Sequence, residues 1–219
     1  MREDWELMQG AIDMHVHSAP SLFPRLVDHV EAAEGAKAMG MKALILKEHH
    51  GFTPLESPAI YGGDDIGRIS IHYRKGGGKA PSFLTGFTSD RIYFVRKLVS
   101  GMDLFGGVVL NNAVGGINPF AVDTAIRLGA KIVWFPTLSA KNHLDQMGGP
   151  EFGSSMKQQG KSKMVEKPIQ VIDQNGHLLP EVYEVIDLIA AHDMILATRH
   201  LSISEVRWVV KTAKEMKHF

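Results

Sequence analysis

The sequence predicts an α/β fold of the (β/α)8, TIM-barrel-like kind that stops after about five βα units. Three observations carry this. Short apolar runs of strand length alternate with helical patterns, as parallel βαβ units require. The runs are apolar throughout, as in parallel strands covered on both faces. Polar residues gather where the runs end, as at the C-terminal rim of a barrel. A closed barrel needs eight such units and typically about 250 residues. In 219 residues the expectation is therefore one domain, 1–219, truncated at its C-terminus.

Residues 11–16 form a short apolar run broken by Asp13, and a helical pattern over 26–39 closes at Gly40. Residues 41–46 are a second run, ending in Lys47, Glu48, His49, His50 and Gly51. The glycine-rich segment 54–88 is far longer than the usual connection of about two to six residues and reads as an insertion or lid. A helix over 89–100 leads to a third strand, GGVVLNN at 106–112, and a helix over 118–128 leads to a fourth, KIVWFPT at 131–137. The polar stretch from 139 and a hairpin over 169–179, turning at Asn175-Gly176, make an excursion spanning 139–179. A helix over 180–192 with Pro180 at its start, a fifth strand, MILATRH at 194–200, and a helix capped by Ser202 or Ser204 complete the chain.

The 24 basic residues balance the 24 acidic ones, so charge suggests neither a nucleic acid nor an anionic membrane as partner. A small-molecule substrate fits better. Without cysteine, any transition metal must be held by nitrogen and oxygen ligands. The N-terminus has no basic start before an apolar stretch, and no run reaches the roughly 18 apolar residues of a membrane span. The expected location is the cytoplasm.

Side chains two apart on a strand share a face, so His15 and His17 project together with Asp13. A His-x-His pair on a rigid strand offers two nitrogens to one divalent ion, zinc foremost, with Mn, Fe or Ni as alternatives. After the second run the same parity separates Lys47 and His49 from Glu48 and His50, and His49 is the expected further ligand, with His50 as its substitute. Lys47 beside a metal would serve as base, substrate clamp or carbamylated ligand. His200, ending the fifth strand, completes the expected metal set of His15, His17, His49 and His200. Asn111, Asn112, Thr137 and His143 sit at the same rim and are the substrate-binding candidates. Asp28 reads as a solvated helix-face residue, and His29, His72, His177, His192 and His218 as surface residues.

IDMHVHSAPS, LVDHVEAAEGAKAMGMKALILKEHH, GGVVLNNAVGGINP and ILATRHLS together resemble an uncharacterised branch of metal-dependent hydrolases allied to the amidohydrolase superfamily. That resemblance implies a (β/α)8 barrel with one or two divalent metals activating water against an amide, ester or related bond. It matches His15 and His17 to the superfamily's first-strand pair and His200 to its fifth-strand histidine. There are departures. The superfamily's carboxylated lysine or glutamate after the fourth strand is replaced here by Pro136-Thr137, with Lys47 as a candidate substitute. The later histidine and the final-strand aspartate have no counterpart. The first two strands also resemble the polymerase-and-histidinol-phosphatase type of phosphoesterase, in which Glu48-His49 would imitate an acid-histidine pair. Lys47 and Glu48 are thus the catalytic candidates. Three readings follow: a metal-dependent hydrolase, a phosphoesterase, and a non-catalytic fragment binding a ligand or partner. A strand edge left open predicts a homo-oligomer or a complementing chain.

Overall fold

The computed structural model describes residues 2–21, 23, 25–50, 88–147 and 166–216. The expected insertion over 54–88, apart from Thr88, the middle of the expected excursion (148–165), His72 and His218 lie outside the described residues.

Local elements follow the sequence pattern. Helix α1 (Arg2–Met8) precedes β1 (Ile12–Val16), α2 (His29–Ala38) and β2 (Ala43–Leu46). Next come α3 (Thr88–Leu98), β3 (Asp103–Phe105), β4 (Gly107–Val109), a short turn of 3-10 helix (Asn112–Val114), α4 (Pro119–Arg127) and β5 (Ile132–Trp134). The chain ends with α5 (Lys141–Gln146), α6 (Pro180–Ala191), β6 (Ile195–Ala197) and α7 (Ile203–Met216).

The barrel expectation is corrected. The strands form two three-stranded parallel sheets, β1-β2-β3 and β4-β5-β6, with no closure among the described residues. In a barrel every strand has a hydrogen-bonded neighbour on each side, whereas among the described residues only β2 and β5 have two. The run expected as the third strand, 106–112, holds the shorter β4, which pairs with β5, and a strand not expected from the sequence, β3, lies just ahead of Gly106 and pairs with β2. Gly107 explains the close pairing of β4 with β5, since a Cβ there would overlap the Ile132 carbonyl.

Packing nevertheless links the two sheets. Alternate residues of each strand face opposite sides. Ile45 of β2, Val109 of β4, and Ile132 and Trp134 of β5 form one apolar cluster. The other faces pack under helices. Leu44 and Leu46 join Val30 and Ala33 of α2 and Ile92 and Val95 of α3. Val108, Val133 and Phe135 join Val122 of α4, Val182 and Ile186 of α6, and Val209 of α7. Burial on both faces is why these strands read as unbroken apolar runs.

Capping shows what places α2. Asp28 is not a solvated face residue: its carboxylate accepts from the Val30 and Glu31 amides, while Glu31 accepts from the Asp28 amide, a complete capping box. His29 is not a surface residue either. It is buried, with Nδ1 2.5 Å from the Ser18 hydroxyl, and burial drives its pKa from 6.5 to about 3. His177 and His192 are exposed, as expected. At Asn175-Gly176 the chain turns back on itself through one antiparallel bridge, Ile172 to Leu178, with Gly176 at φ 82°. Among the described residues no helix is long and apolar enough to cross a membrane.

Candidate functional site

The site is built from the ends of parallel strands. Beyond the exposed start of β1, His15 Nε2 and His17 Nε2 lie 3.0 Å apart, the same-face placement that strand parity demands. Asp13 does not reach them with its carboxylate, which instead accepts the His15 backbone amide at 2.9 Å. His17 Nδ1 lies 3.0 Å from the Lys47 carbonyl. A carbonyl only accepts, so Nδ1 carries the proton and the neutral ring leaves Nε2 as a bare lone pair.

Both rings are held neutral. Burial lowers the His15 pKa to about 3, helped by the charges of Lys47 and Arg199. Burial lowers His17 to about 4, helped by Arg25 and Lys47 and opposed by Glu48 and the Lys47 backbone bond. Two nitrogens each about 2.0–2.1 Å from one ion stand about 3 Å apart. The 3.0 Å separation suits either a hydrogen bond from a His15 Nε2–H to the His17 lone pair or two ligands of one divalent cation, with the Lys47 carbonyl fixing the His17 ring.

The residues after β2 form the next wall. Lys47 is fully buried and its Nζ has no hydrogen-bond partner. It lies 5.3 Å from the centre of the Trp134 ring. Burial, then Arg199, lowers its pKa to about 7, against the pull of Glu48. Glu48 Oε1 accepts the His49 amide at 2.8 Å and the His50 amide at 3.4 Å. Burial works to raise the Glu48 carboxyl, but neighbouring His50 and the Arg91 charge outweigh it and hold the group below the ordinary carboxylate range. His49 stacks on His17 at 4.6 Å between centroids, and burial followed by the Lys47 charge keeps it neutral.

A buried amide ties these walls to the second sheet. Asn111, just past β4, donates through Nδ2 to the His49 carbonyl (3.1 Å) and the Thr137 hydroxyl (2.9 Å). Its Oδ1 accepts the Thr137 and Ser139 amides. Thr137 also places its hydroxyl 2.9 Å from His49 Nδ1. One side chain thus joins the ends of β2, β4 and β5.

At the end of β6, the His200 ring stands 4.6 Å from that of His143, and Asn142 donates to the His200 carbonyl. Burial, then His143 and Lys47, lowers the His200 pKa to about 4, while a bond to the Thr137 backbone opposes. His200 Nδ1 is buried without a hydrogen-bond partner, and the ring stands near enough to His15 that protonation of one opposes protonation of the other.

The structure therefore brings His15, His17, Lys47, His49, Asn111 and Thr137 into one contiguous cluster, with His200 and His143 alongside. Glu48 lies under it, turned to backbone amides. Asn112 belongs to a neighbouring network: its side chain donates to Glu166 at 2.6 Å and to the Lys167 carbonyl at 2.9 Å. Among the described residues no three histidine or acidic side chains stand arranged to hold one ion; the His15–His17 pair supplies two nitrogens. Sequence reasoning missed Trp134, whose ring lies 6.3 Å from that of His15, as well as Phe23, Arg25 and Arg199. Trp134 was legible as a bulky residue closing a strand at the rim. Phe23 and Arg25 carried no periodic signal.

No curated protein matches the chain. Residues 10–59 and 84–218 match a family described as a family of unknown function, DUF6282, and with most of its length inside those bounds the chain belongs to that family.

Proposed function

We propose that the chain is a metal-dependent hydrolase that cleaves an amide, ester or related bond of a small molecule. The observation that supports this is the 3.0 Å approach of His15 Nε2 to His17 Nε2, with the His17 lone pair turned toward His15 by the Lys47 carbonyl. A divalent cation, zinc foremost, supplies acidification of water toward neutral pH and polarisation of the scissile bond.

The chain's own residues supply the rest. His15 and His17 hold the ion. His49, stacked on His17 and tied to the Thr137 hydroxyl, and His200, with its unpartnered Nδ1, line the site beside that pair rather than complete its ligand set. Trp134 and the cluster beneath it keep bulk water from the Lys47 side. Lys47, able to exist as a free amine near neutrality, takes or returns a proton at Nζ. Glu48 spends Oε1 on backbone amides and so holds the turn that presents His49. It acts on position rather than on the bond.

The test is metal analysis of purified protein beside a His15→Ala/His17→Ala variant, with hydrolysis of amide, ester, lactone and phosphoester probes after metal loading. The variant is expected to lose the bound ion and turnover together. Equal metal content in the two proteins would end the proposal.

A further inference from the structure

The charges around the histidines are unevenly signed. Arg25, Lys47 and Arg199 all act on the same imidazoles: Arg25 on His17 and His49, Lys47 on His15, His17, His49 and His200, and Arg199 on His15 and His200. Glu48 is the carboxylate that opposes them at His17, and its Oε1 is taken by the His49 and His50 amides.

Arg25 is the telling member. Its guanidinium carbon lies 5.6 Å from the centre of the Phe23 ring, and that ring stands 6.2 Å from His49 and 5.6 Å from His50. Its Nε is buried with no hydrogen-bond partner, and although the Glu48 carboxylate acts on it, no carboxylate is within ion-pair distance of it among the described residues. A lysine can relieve burial by losing its proton. An arginine cannot, because its guanidinium stays charged at any working pH. A buried donor of this kind left unpaired is costly, and an anion received on its planar fork removes that cost.

We infer that the site takes an anionic substrate, whose carboxylate or phosphoryl group is received by Arg25 beside the His17–His49 stack. This names the substrate class for the hydrolase reading and rests on it for the bond that is cleaved. Lys47, with its Nζ buried and unpartnered, adds to the attraction when it carries its proton. The uneven field also draws anions toward the cluster before they dock.

The experiment uses the full chain loaded with metal and three probe esters that differ only in one substituent: a carboxamide, a carboxylate or a phosphonate. The wild-type protein is expected to favour one anionic probe over the carboxamide in kcat/KM by about tenfold or more, the size of one hydrogen bond to a charged group. The probe it favours identifies the anion. Arg25→Gln should bring that ratio close to one, and Arg25→Lys, which keeps the charge without the fork, should retain part of it. No preference in the wild type, or a preference that survives Arg25→Gln, overturns the inference. If Arg25→Gln does not fold, Arg25→Lys carries the test alone, an unchanged ratio overturning it and a reduced one supporting it. If metal-loaded protein hydrolyses none of the probes, the hydrolase reading fails separately. Calorimetric titration with inorganic phosphate and with acetate then decides the anion site: weakening by about tenfold in Arg25→Gln supports it, and absent or equal binding overturns it.

Discussion

Acid should unfold this protein partly through one buried ring. His29 lies beneath the Ser18 hydroxyl with its Nε2 unpartnered, and burial lowers its pKa from 6.5 to about 3. Unfolded, the ring binds a proton below 6.5; folded, it resists down to about 3. Between those limits the unfolded state holds more protons. Stability is thus full above pH 6.5 and lost as pH falls toward 3. Each pH unit in that window costs about 1.4 kcal/mol, so the descent from pH 7 to pH 4.5 removes about 2.5 kcal/mol through His29 alone. Other buried histidines add slopes of the same sign, so the difference between two proteins isolates this one. Urea unfolding of the wild type and of His29→Asn, run at pH 7, 5.5 and 4.5, is the assay. Asparagine keeps a polar group near Ser18 but does not titrate. His29→Asn should start less stable at pH 7 and lose about 2.5 kcal/mol less than the wild type on acidification. Parallel losses in the two proteins would refute the reasoning.

Further outcomes can be measured on the same footing. Asn111→Ala removes four buried hydrogen bonds and should cost about 2–4 kcal/mol in chemical denaturation. Gly107→Ala sets a Cβ against the Ile132 carbonyl and should cost about 3 kcal/mol or more, or abolish cooperative unfolding; a normal melting curve would contradict the close approach of β4 and β5. Asp28→Ala breaks the capping box of α2 and should cost about 1 kcal/mol, with Asp28→Ser restoring most of it.

The sequence made local elements and strand ends legible because both are short-range consequences of composition. Residues 41–46 announce a buried strand, and Pro180 announces the start of α6. Parity placed His15 and His17 on one face, and their nitrogens do meet. Closure was not legible. Alternating strands and helices demand parallel pairing, but whether a sheet closes depends on how distant strands stagger and tilt, which no local pattern encodes. Strand β3 was not legible either: its three residues, Asp103–Phe105, are too few to show a strand pattern of their own. The Asp28–Glu31 spacing was likewise a capping box in plain view. His29 was misread because its burial is set by Ser18 and α3, which lie outside its own helix. Arg25 and Phe23 were invisible for the same reason: they follow no periodic element, and only folding brings them beside His49.

Asn111 carries one last consequence. Since a single amide fastens the termini of β2, β4 and β5, those three termini shift as one plate or stay still. On the proposed hydrolase reading, change in the segments that leave the plate would alter which molecules are accepted while the imidazoles keep their spacing, so that a lineage could diversify by editing loops alone.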